Sequence, residues 1–85
     1  MVTISLCMIV KDEEALLPRC LESIQGLVEE VIVVDTGSSD RTVELAQQAG
    51  AQVYHFPWVG DFSQARNFSF SKATQQYCLW TVSYT

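Results

Sequence analysis

The 85-residue chain has room for one domain, so a single unit over residues 1–85 is predicted. Its 5 Lys and Arg stand against 10 Asp and Glu, and a net charge of −5 excludes the clustered basic surface that nucleic acids or anionic membranes require. No run approaches the roughly 20 apolar residues of a membrane helix, so no transmembrane segment is predicted. Cys7, Cys20 and Cys78 fit neither a disulfide framework nor a zinc site, which indicates buried free thiols in the reducing cytoplasm.

The first third of the chain has a strand pattern followed by a helix pattern. Residues 4–10 form a near-continuous apolar run, typical of a strand that is covered on both faces. Residues 12–25 have helical spacing, and Pro18 indicates that the regular helix begins near Leu17. Gly26 is placed to end this helix. The positions expected to face inward are Leu17, Cys20, Leu21 and Ile24.

The same alternation continues to the end of the chain. Residues 31–34 are the most β-prone run, and residues 40–49 form a helix that Ser38 or Ser39 can cap. Its expected inward-facing residues are Val43, Ala46 and Ala49.

A strand at residues 52–56, halted by Pro57, precedes a helix that starts at residues 61–64, and residues 77–82 form a last strand. The stripe expected to face the core on that helix is Phe62, Ala65, Phe68 or Ser69, and Ala73.

This order, β-α-β-α-β-α-β, predicts an α/β fold. The expected architecture is a mostly parallel, Rossmann-like sheet in a three-layer α/β/α sandwich with right-handed crossovers. Sheets of this kind bind ligands at the carboxyl ends of their strands. Three loops are therefore candidates for function.

The first loop carries Lys11, Asp12, Glu13 and Glu14 directly after the first strand. The charged cluster can serve a ligand, or it can be the solvated first turn of a helix, where the helix dipole favours acids. Local physics by itself favours the second interpretation.

The second loop, residues 35–40, begins with Asp35 at the tip of a buried strand, where a carboxylate can accept hydrogen bonds from a base or a ribose. Gly37 permits close backbone approach or positive φ. Ser38, Ser39 and Asp40 have an alternative role as turn formers and caps. No Walker or GxGxxG phosphate motif is present.

The third loop leads into Arg66 and Asn67 near the start of a helix. Arg66 can clamp a diphosphate with two parallel hydrogen bonds, or it can pair with a surface acid. Trp58 and Phe62 are expected to pack in the core. His55, inside a strand and without neighbouring ligand residues, is interpreted as structural.

Four segments together resemble the opening of bacterial family 2 glycosyltransferases. They are ISLCMIVKDEE at 4–14, CLESI at 20–24, VIVVDTGSSDRT at 31–42 and FPWVGDFSQARN at 56–67. The similarity runs in order from about Thr3 to Trp80. The most similar subgroup acts in lipopolysaccharide or other glycan biosynthesis and is often fused to helical repeats.

The resemblance implies the amino-terminal half of a GT-A fold, which holds a nucleoside-diphosphate sugar, with UDP the expected nucleotide. It further implies that Val10, Lys11, Glu13 and Glu14 line the nucleoside pocket. Asp35, with Gly37 beside it, is expected to contact the base or ribose. Arg66 and Asn67 are expected to lie towards the diphosphate. This interpretation requires the Asp35 and Arg66 side chains to converge, unburied, on a shared crevice rim.

One departure from the family pattern concerns the metal. Members of the family continue the last strand into an Asp-x-Asp motif that helps to hold Mg²⁺ or Mn²⁺. Val82 and Tyr84 stand at those positions here. The chain by itself is therefore expected to hold no metal and to lack transferase activity, and a shifted reading frame or truncated gene is one hypothesis for the change.

Two other classes stay open beside a glycosyltransferase fragment. One is a binding module with weak nucleotide affinity and no turnover. The other is a structural or interaction protein, because half of an open sheet leaves a strand edge or a helix face through which a homodimer can form.

Overall fold

The computed structural model describes residues 2–58, 60 and 62–84, with the side chains of Ser83 and Tyr84 excluded. Val59 and Asp61, which belong to the third predicted loop and the predicted helix start, lie outside the described residues. Seven elements follow in the predicted order: β1 Ile4–Lys11, α1 Leu17–Ile24, β2 Glu30–Asp35, α2 Thr42–Gln48, β3 Gln52–His55, α3 Phe62–Lys72 and β4 Tyr77–Tyr84.

The four strands form one parallel sheet in the order β3-β2-β1-β4. The chain moves in one direction from β1 to β3, so right-handed crossovers put α1 and α2 on the same face. It then returns past two strands to β4, which puts α3 on the opposite face. The predicted three-layer α/β/α architecture is confirmed.

Strands β1 and β2 supply the centre of the core because both have a neighbour on each side and helices on both faces. Met8 and Val33 pack with α1 and α2, whereas Cys7, Ile32 and Val34 pack on the α3 side. All five are at most 1% exposed. Burying each aliphatic side chain of this size contributes about 1.5–3 kcal/mol.

The start of α2 differs from the prediction. The helix begins at Thr42, and neither predicted serine caps it. The Asp40 carboxylate instead accepts the Thr42 amide at 2.9 Å and also the Thr42 hydroxyl. Ala49 is exposed, so the prediction that it faces the core was wrong, because the helix ends one residue earlier.

Four further side chains test the predicted core. Ala65 and Ser69 are buried on α3, as the helical stripe predicted. Trp58 is 42% exposed, although it was expected in the core, and it stacks on Phe62 with ring centroids 4.7 Å apart. Cys78 is a free, exposed thiol on the edge strand, so the expectation that every cysteine is buried was also wrong.

Strand β4 is an uncharged edge strand whose second edge has no partner among the described strands. Four large apolar side chains on it are between 37% and 54% exposed: Tyr77, Leu79, Trp80 and Val82. None of the described helices has the length and apolar character to cross a membrane.

Candidate functional site

The carboxyl edge of the sheet brings the predicted loops together. Parallel register places Val10 beside Asp35 and Asp35 beside His55, so β1, β2 and β3 end side by side. The first turn of α3 follows β3 on this same edge. The topology therefore gathers the residues after three strands at one end of the molecule, as expected for a parallel sheet.

Asp35 is buried at this edge, with 1% of its surface exposed. Its Oδ2 accepts the amides of Gly37 at 3.1 Å and Ser38 at 3.0 Å, and lies 3.4 Å from the Nδ1 of His55. Its Oδ1 is buried without a hydrogen-bond partner among the described residues. An unpaired buried oxygen costs about 1–3 kcal/mol, so this atom is a candidate acceptor for a ligand.

His55 was missed as a site residue. Its side chain is 71% exposed, and it contacts Asp35 from the adjacent strand. A signal was available in the sequence, because His55 is the last residue of the strand that follows Asp35, and the ends of parallel strands meet at one edge.

Backbone amides of the loop after β1 donate hydrogen bonds to side chains of residues 38–42, which form the end of the second loop and the start of α2. The Asp12 amide donates to the Ser38 hydroxyl at 2.8 Å. The Glu13 amide donates to the Thr42 hydroxyl at 2.8 Å in a buried position. The Glu14 amide donates to the Asp40 carboxylate at 3.3 Å. Three successive amides are thus committed to the other loop.

The same two loops are also joined in the reverse direction. The Asp12 carboxylate accepts the Ser39 amide at 2.8 Å, and the Glu14 carboxylate accepts the Arg41 amide at 3.3 Å. We call these five bonds between residues 12–14 and residues 38–42 the inter-loop clamp. The backbone amides in these five bonds cannot also donate to a bound anion. A ligand at these positions can therefore be contacted only by side chains and by backbone carbonyls.

The predicted residues of the first loop differ in accessibility. Val10 is fully buried in the core, and its carbonyl accepts both the amide and the hydroxyl of Thr36. Glu13 is 4% exposed. Lys11 is half-buried and Glu14 is exposed. The side chain of Val10 is therefore covered by the core, and the expectation that the backbone and side chains near residues 10–14 line a nucleoside pocket stays a prediction.

Gly37 matches its expected backbone role. It has a φ of 117°, lies in open space, and donates its amide to Asp35. An L-residue rarely adopts this conformation, so a side chain here would strain the loop. The turn brings two successive amides, those of Gly37 and Ser38, onto one carboxylate oxygen.

Arg66 does not meet Asp35 as predicted. Its guanidinium lies 5.2 Å from the centroid of the Trp80 ring, on the α3 face of the sheet. Alternation along β2 puts Asp35 on the opposite face, with Val33. The expectation that both side chains converge, unburied, on one rim was therefore wrong. Asn67 is exposed beside Arg66.

Asp40 has the clearest electrostatic adjustment in the site. Hydrogen bonding from the Thr42 hydroxyl, and secondarily from the Thr42 and Glu14 amides, lowers the pKa of its carboxyl below the ordinary value. Because donors favour the charged form, this carboxylate stays ionised while it joins the clamp to the start of α2.

A divalent cation does not fit the residues described. No three His, Cys, Asp or Glu side chains in this part of the chain are grouped to hold a metal ion. Val82, the residue at the first expected acid position, offers no oxygen ligand and is 37% exposed on β4. Hard cations require oxygen ligands, so we derive no metal-dependent step for this chain.

Two open cavities lie away from this edge. One, of about 230 Å³, opens at the amino edge of the sheet near Glu29 and Glu30. The other, of about 330 Å³, lies between α1 and α2. No predicted site residue lines either cavity. We place the candidate site at the carboxyl edge because that is where the unpaired Asp35 oxygen lies.

Comparison with known proteins decides the family. The family model described as Glycosyl transferase family 2 matches residues 5–81. The chain belongs to this family. An uncharacterized glycosyltransferase of Rickettsia felis is 41% identical over 76 residues, which are 89% of this chain and 26% of that protein. A TPR repeat-containing protein of Synechococcus elongatus is 53% identical over 79 residues, 93% of this chain and 20% of that protein.

A solved glycosyltransferase structure shares the fold. Glucosyl-3-phosphoglycerate synthase from Mycobacterium tuberculosis, in complex with Mn²⁺, UDP and glucosyl-3-phosphoglycerate, superposes with a TM-score of 0.80 at 28% identity. The match covers 95% of this chain and 33% of the synthase. The same synthase has been solved with Mn²⁺, UDP-glucose and phosphoglyceric acid. The GT-A fold expected from the sequence is confirmed, and the chain spans between a fifth and a third of these relatives.

Proposed function

We propose that residues 1–85 form the donor-binding part of a family 2 glycosyltransferase and bind a nucleoside diphosphate of the UDP type at the carboxyl edge of the sheet. The observation that carries the proposal is the buried Oδ1 of Asp35, which has no hydrogen-bond partner among the described residues. A base N–H or a ribose hydroxyl would supply the missing donor and remove the cost of leaving this oxygen unpaired.

Either of two changes would allow a ligand to reach Asp35. The carboxylate is buried, so the loop at residues 36–40 or the exposed His55 side chain has to move aside. His55 is the smaller obstacle, because its side chain is 71% exposed and is held here by a single 3.4 Å contact. The proposed site is thus covered until the ligand arrives.

Arg66 is the proposed contact for the diphosphate, with Asn67 beside it, and because its guanidinium lies against Trp80 on the opposite face from Asp35, the side chain has to swing to the carboxyl edge when the ligand binds. Its planar guanidinium can form two parallel hydrogen bonds to phosphate oxygens. The present contact with Trp80 is worth about 0.5–1 kcal/mol at an exposed site, so it can be exchanged for a phosphate without a large penalty. Lys11, Glu13 and Glu14 complete the proposed set on the first loop.

Sugar transfer is proposed for the intact family fold and not for this chain by itself. Intact relatives would use a divalent cation, Mg²⁺ or Mn²⁺, to offset the charge of the departing diphosphate. The acceptor class expected from the resemblance, a lipopolysaccharide or other glycan, stays a prediction. The cytoplasm is the proposed compartment, supported by the three free cysteines.

A titration with UDP, uridine and ADP tests the proposal, with binding followed through amide chemical shifts. We expect weak saturable binding of UDP, with shifts at residues 35–38 and near Arg66, and weaker binding of ADP because the base contact is specific. Mn²⁺ should leave the UDP affinity unchanged. Shifts confined to the cavity at the amino edge, or no saturation by UDP, would contradict the proposal.

A gain-of-function pair tests the metal argument. Replacing Val82→Asp and Tyr84→Asp together restores the family's acidic spacing at the end of β4. We expect UDP binding to become stronger with Mn²⁺ in this variant only. If the unaltered chain shows the same Mn²⁺ dependence, other residues hold the cation.

A second candidate function is self-association through β4, which we propose on the basis of its exposed apolar side chains and unpaired edge. Antiparallel pairing of two β4 edges would cover Tyr77, Leu79, Trp80 and Val82 and complete the backbone hydrogen bonds. Sedimentation analysis should show a dimer that Leu79→Lys dissociates. A monomer at high concentration would contradict this candidate.

A further inference from the structure

Asp12 holds a central position in the inter-loop clamp. Its amide donates to the Ser38 hydroxyl, and its carboxylate accepts both the amide of Ser39 at 2.8 Å and the hydroxyl of Ser39 at 3.4 Å. It also has a φ of 53°, the only positive φ of a residue other than glycine among the described residues. Left-handed backbone costs an ordinary residue about 1–2 kcal/mol, so the surrounding bonds must maintain it.

A continuous path of hydrogen bonds leads from Asp12 to the carboxylate of Asp35. Ser38 accepts the Asp12 amide through its hydroxyl and donates its own amide to the Oδ2 of Asp35 at 3.0 Å. Gly37, the residue before it, donates to the same oxygen. The segment that orients Asp35 is therefore held on its outer side by Asp12.

We propose that Asp12 is a positioning residue: it pins residues 38 and 39 so that Asp35 presents Oδ1 to the ligand. This inference rests on the proposed function; the sequence had placed Asp12 in a candidate loop without assigning it a role of its own. The carboxylate of Asp12 is committed to Ser39 and acts through the loop. Its loss should weaken ligand binding by allowing residues 36–40 to adopt several conformations.

Two substitutions separate the clamp from the backbone conformation. Asp12→Gly tolerates the positive φ but removes the acceptor for Ser39. Asp12→Asn also tolerates this backbone region and keeps an oxygen at the acceptor position. A defect that appears with Gly and is rescued by Asn therefore belongs to the hydrogen bond and not to backbone strain or negative charge.

The first measurement needs no ligand. Amide hydrogen exchange should accelerate about tenfold at Ser39 in Asp12→Gly, because its amide loses the Asp12 oxygen that accepts it. The amides of the core strand residues Ile9 and Val33 should still exchange most slowly in Asp12→Gly. Exchange rates in Asp12→Asn should equal those of the unaltered chain. Unchanged exchange at Ser39 in the Gly variant would overturn the clamp assignment.

The second measurement is the dissociation constant for UDP. We expect about a tenfold weaker affinity in Asp12→Gly, corresponding to about 1.4 kcal/mol, with rescue by Asp12→Asn. Faster exchange without a change in UDP affinity would show that the clamp is only structural and would overturn the positioning role. If the unaltered chain fails to bind UDP, the proposed function and this inference fall together, whereas failure of the exchange result alone removes only the inference.

Discussion

Strand β2 has a carboxylate at each end, Glu30 at the amino edge of the sheet and Asp35 at the carboxyl edge. Among the described residues, hydrogen-bond donors reach both oxygens of Glu30 but only one oxygen of Asp35. At the amino edge, Glu30 accepts hydrogen bonds from the Ser5 hydroxyl at 2.7 Å and from the side-chain amide of Gln52 at 2.9 Å. It also accepts the backbone amide of Thr74 at 2.9 Å and the Thr74 hydroxyl at 3.0 Å. Both of its oxygens are used. At the carboxyl edge, Asp35 uses one oxygen only.

This difference separates a structural carboxylate from a candidate functional one. Glu30 joins the starts of β1, β2 and β3 to the segment before β4, so its hydrogen-bonding capacity is spent on the fold. Asp35 keeps a buried oxygen that has no partner among the described residues, which is costly for the free protein. Such a cost persists where a ligand contact compensates it, and the following predictions test whether that distinction holds.

The largest effect on stability is expected for Glu30→Ala. Removing the shared acceptor breaks four hydrogen bonds that join β1, β3 and the segment before β4, and the free energy of unfolding should fall by about 2 kcal/mol in urea denaturation. Glu29→Ala is the matched control, because that neighbouring carboxylate accepts the Ile4 amide at an exposed position. Equal losses for the two variants would show that Glu30 is not a special junction. UDP affinity should be unchanged in both.

In contrast to Glu30→Ala, Asp35→Asn should change the stability little and the UDP affinity strongly. The amide oxygen can keep the Gly37 and Ser38 contacts, so the free energy of unfolding should change by less than about 1 kcal/mol. The nitrogen replaces the acceptor at Oδ1, and UDP affinity should fall about tenfold, which corresponds to about 1.4 kcal/mol. Calorimetric titration measures this loss. An unaltered affinity would remove Asp35 from the site.

A smaller effect is expected for the cation–π pair on the α3 face. A double-mutant cycle of Arg66→Gln and Trp80→Leu should give a coupling energy of about 0.5–1 kcal/mol in the free energy of unfolding. Arg66→Gln should also reduce the preference for UDP over uridine, because the diphosphate loses its proposed partner. Additive single substitutions would indicate that the 5.2 Å contact carries no energy.

The smallest expected effect is the pH dependence that Glu30 contributes. Burial raises the pKa of Glu30, but hydrogen bonds from Ser5, Thr74 and Gln52 together outweigh it, and the pKa is lowered overall. A lowered folded-state pKa stabilises the protein fully above the unfolded value of about 4.3. This stabilisation is lost as pH falls through the folded value.

Unfolding measured from pH 7 to pH 3 tests that sign. The free energy of unfolding should decline less steeply in Glu30→Gln than in the unaltered chain, and the difference should be modest because Glu30 is only half-buried. A steeper decline in the Gln variant would reverse the assignment.

The order of elements was predictable from the sequence because burial leaves a local pattern. The apolar run of β1 and the β-branched run of β2 are central strands, and such strands need apolar residues on both faces. The helix containing Leu17 and Leu21 also matched its predicted stripe. Family membership was expected from the resemblance of the segments around Asp35 and Arg66 to known members, and the family model confirms it.

Residues whose role depends on partners distant in sequence were harder to predict. Ser38 and Ser39 have the composition of helix caps, yet their partner is Asp12, more than 25 residues earlier. Cys78 and Trp58 are apolar enough for a core position, but the edge strand and the loop leave them exposed. Local chemistry cannot distinguish these alternatives, since the same hydroxyl or ring satisfies both.

The sequence by itself therefore determined the α/β fold and the edge of the sheet at which the loops gather, because periodicity and the succession of strands and helices along the chain are local properties. The family followed separately, from the resemblance of four segments to known glycosyltransferases. Only the tertiary structure decided that Asp35 is buried with one oxygen unpaired, and that Arg66 lies on the other face against Trp80. The physical reason is that accessibility and hydrogen-bond saturation depend on which side chains other elements bring alongside, and a linear spacing carries no record of that.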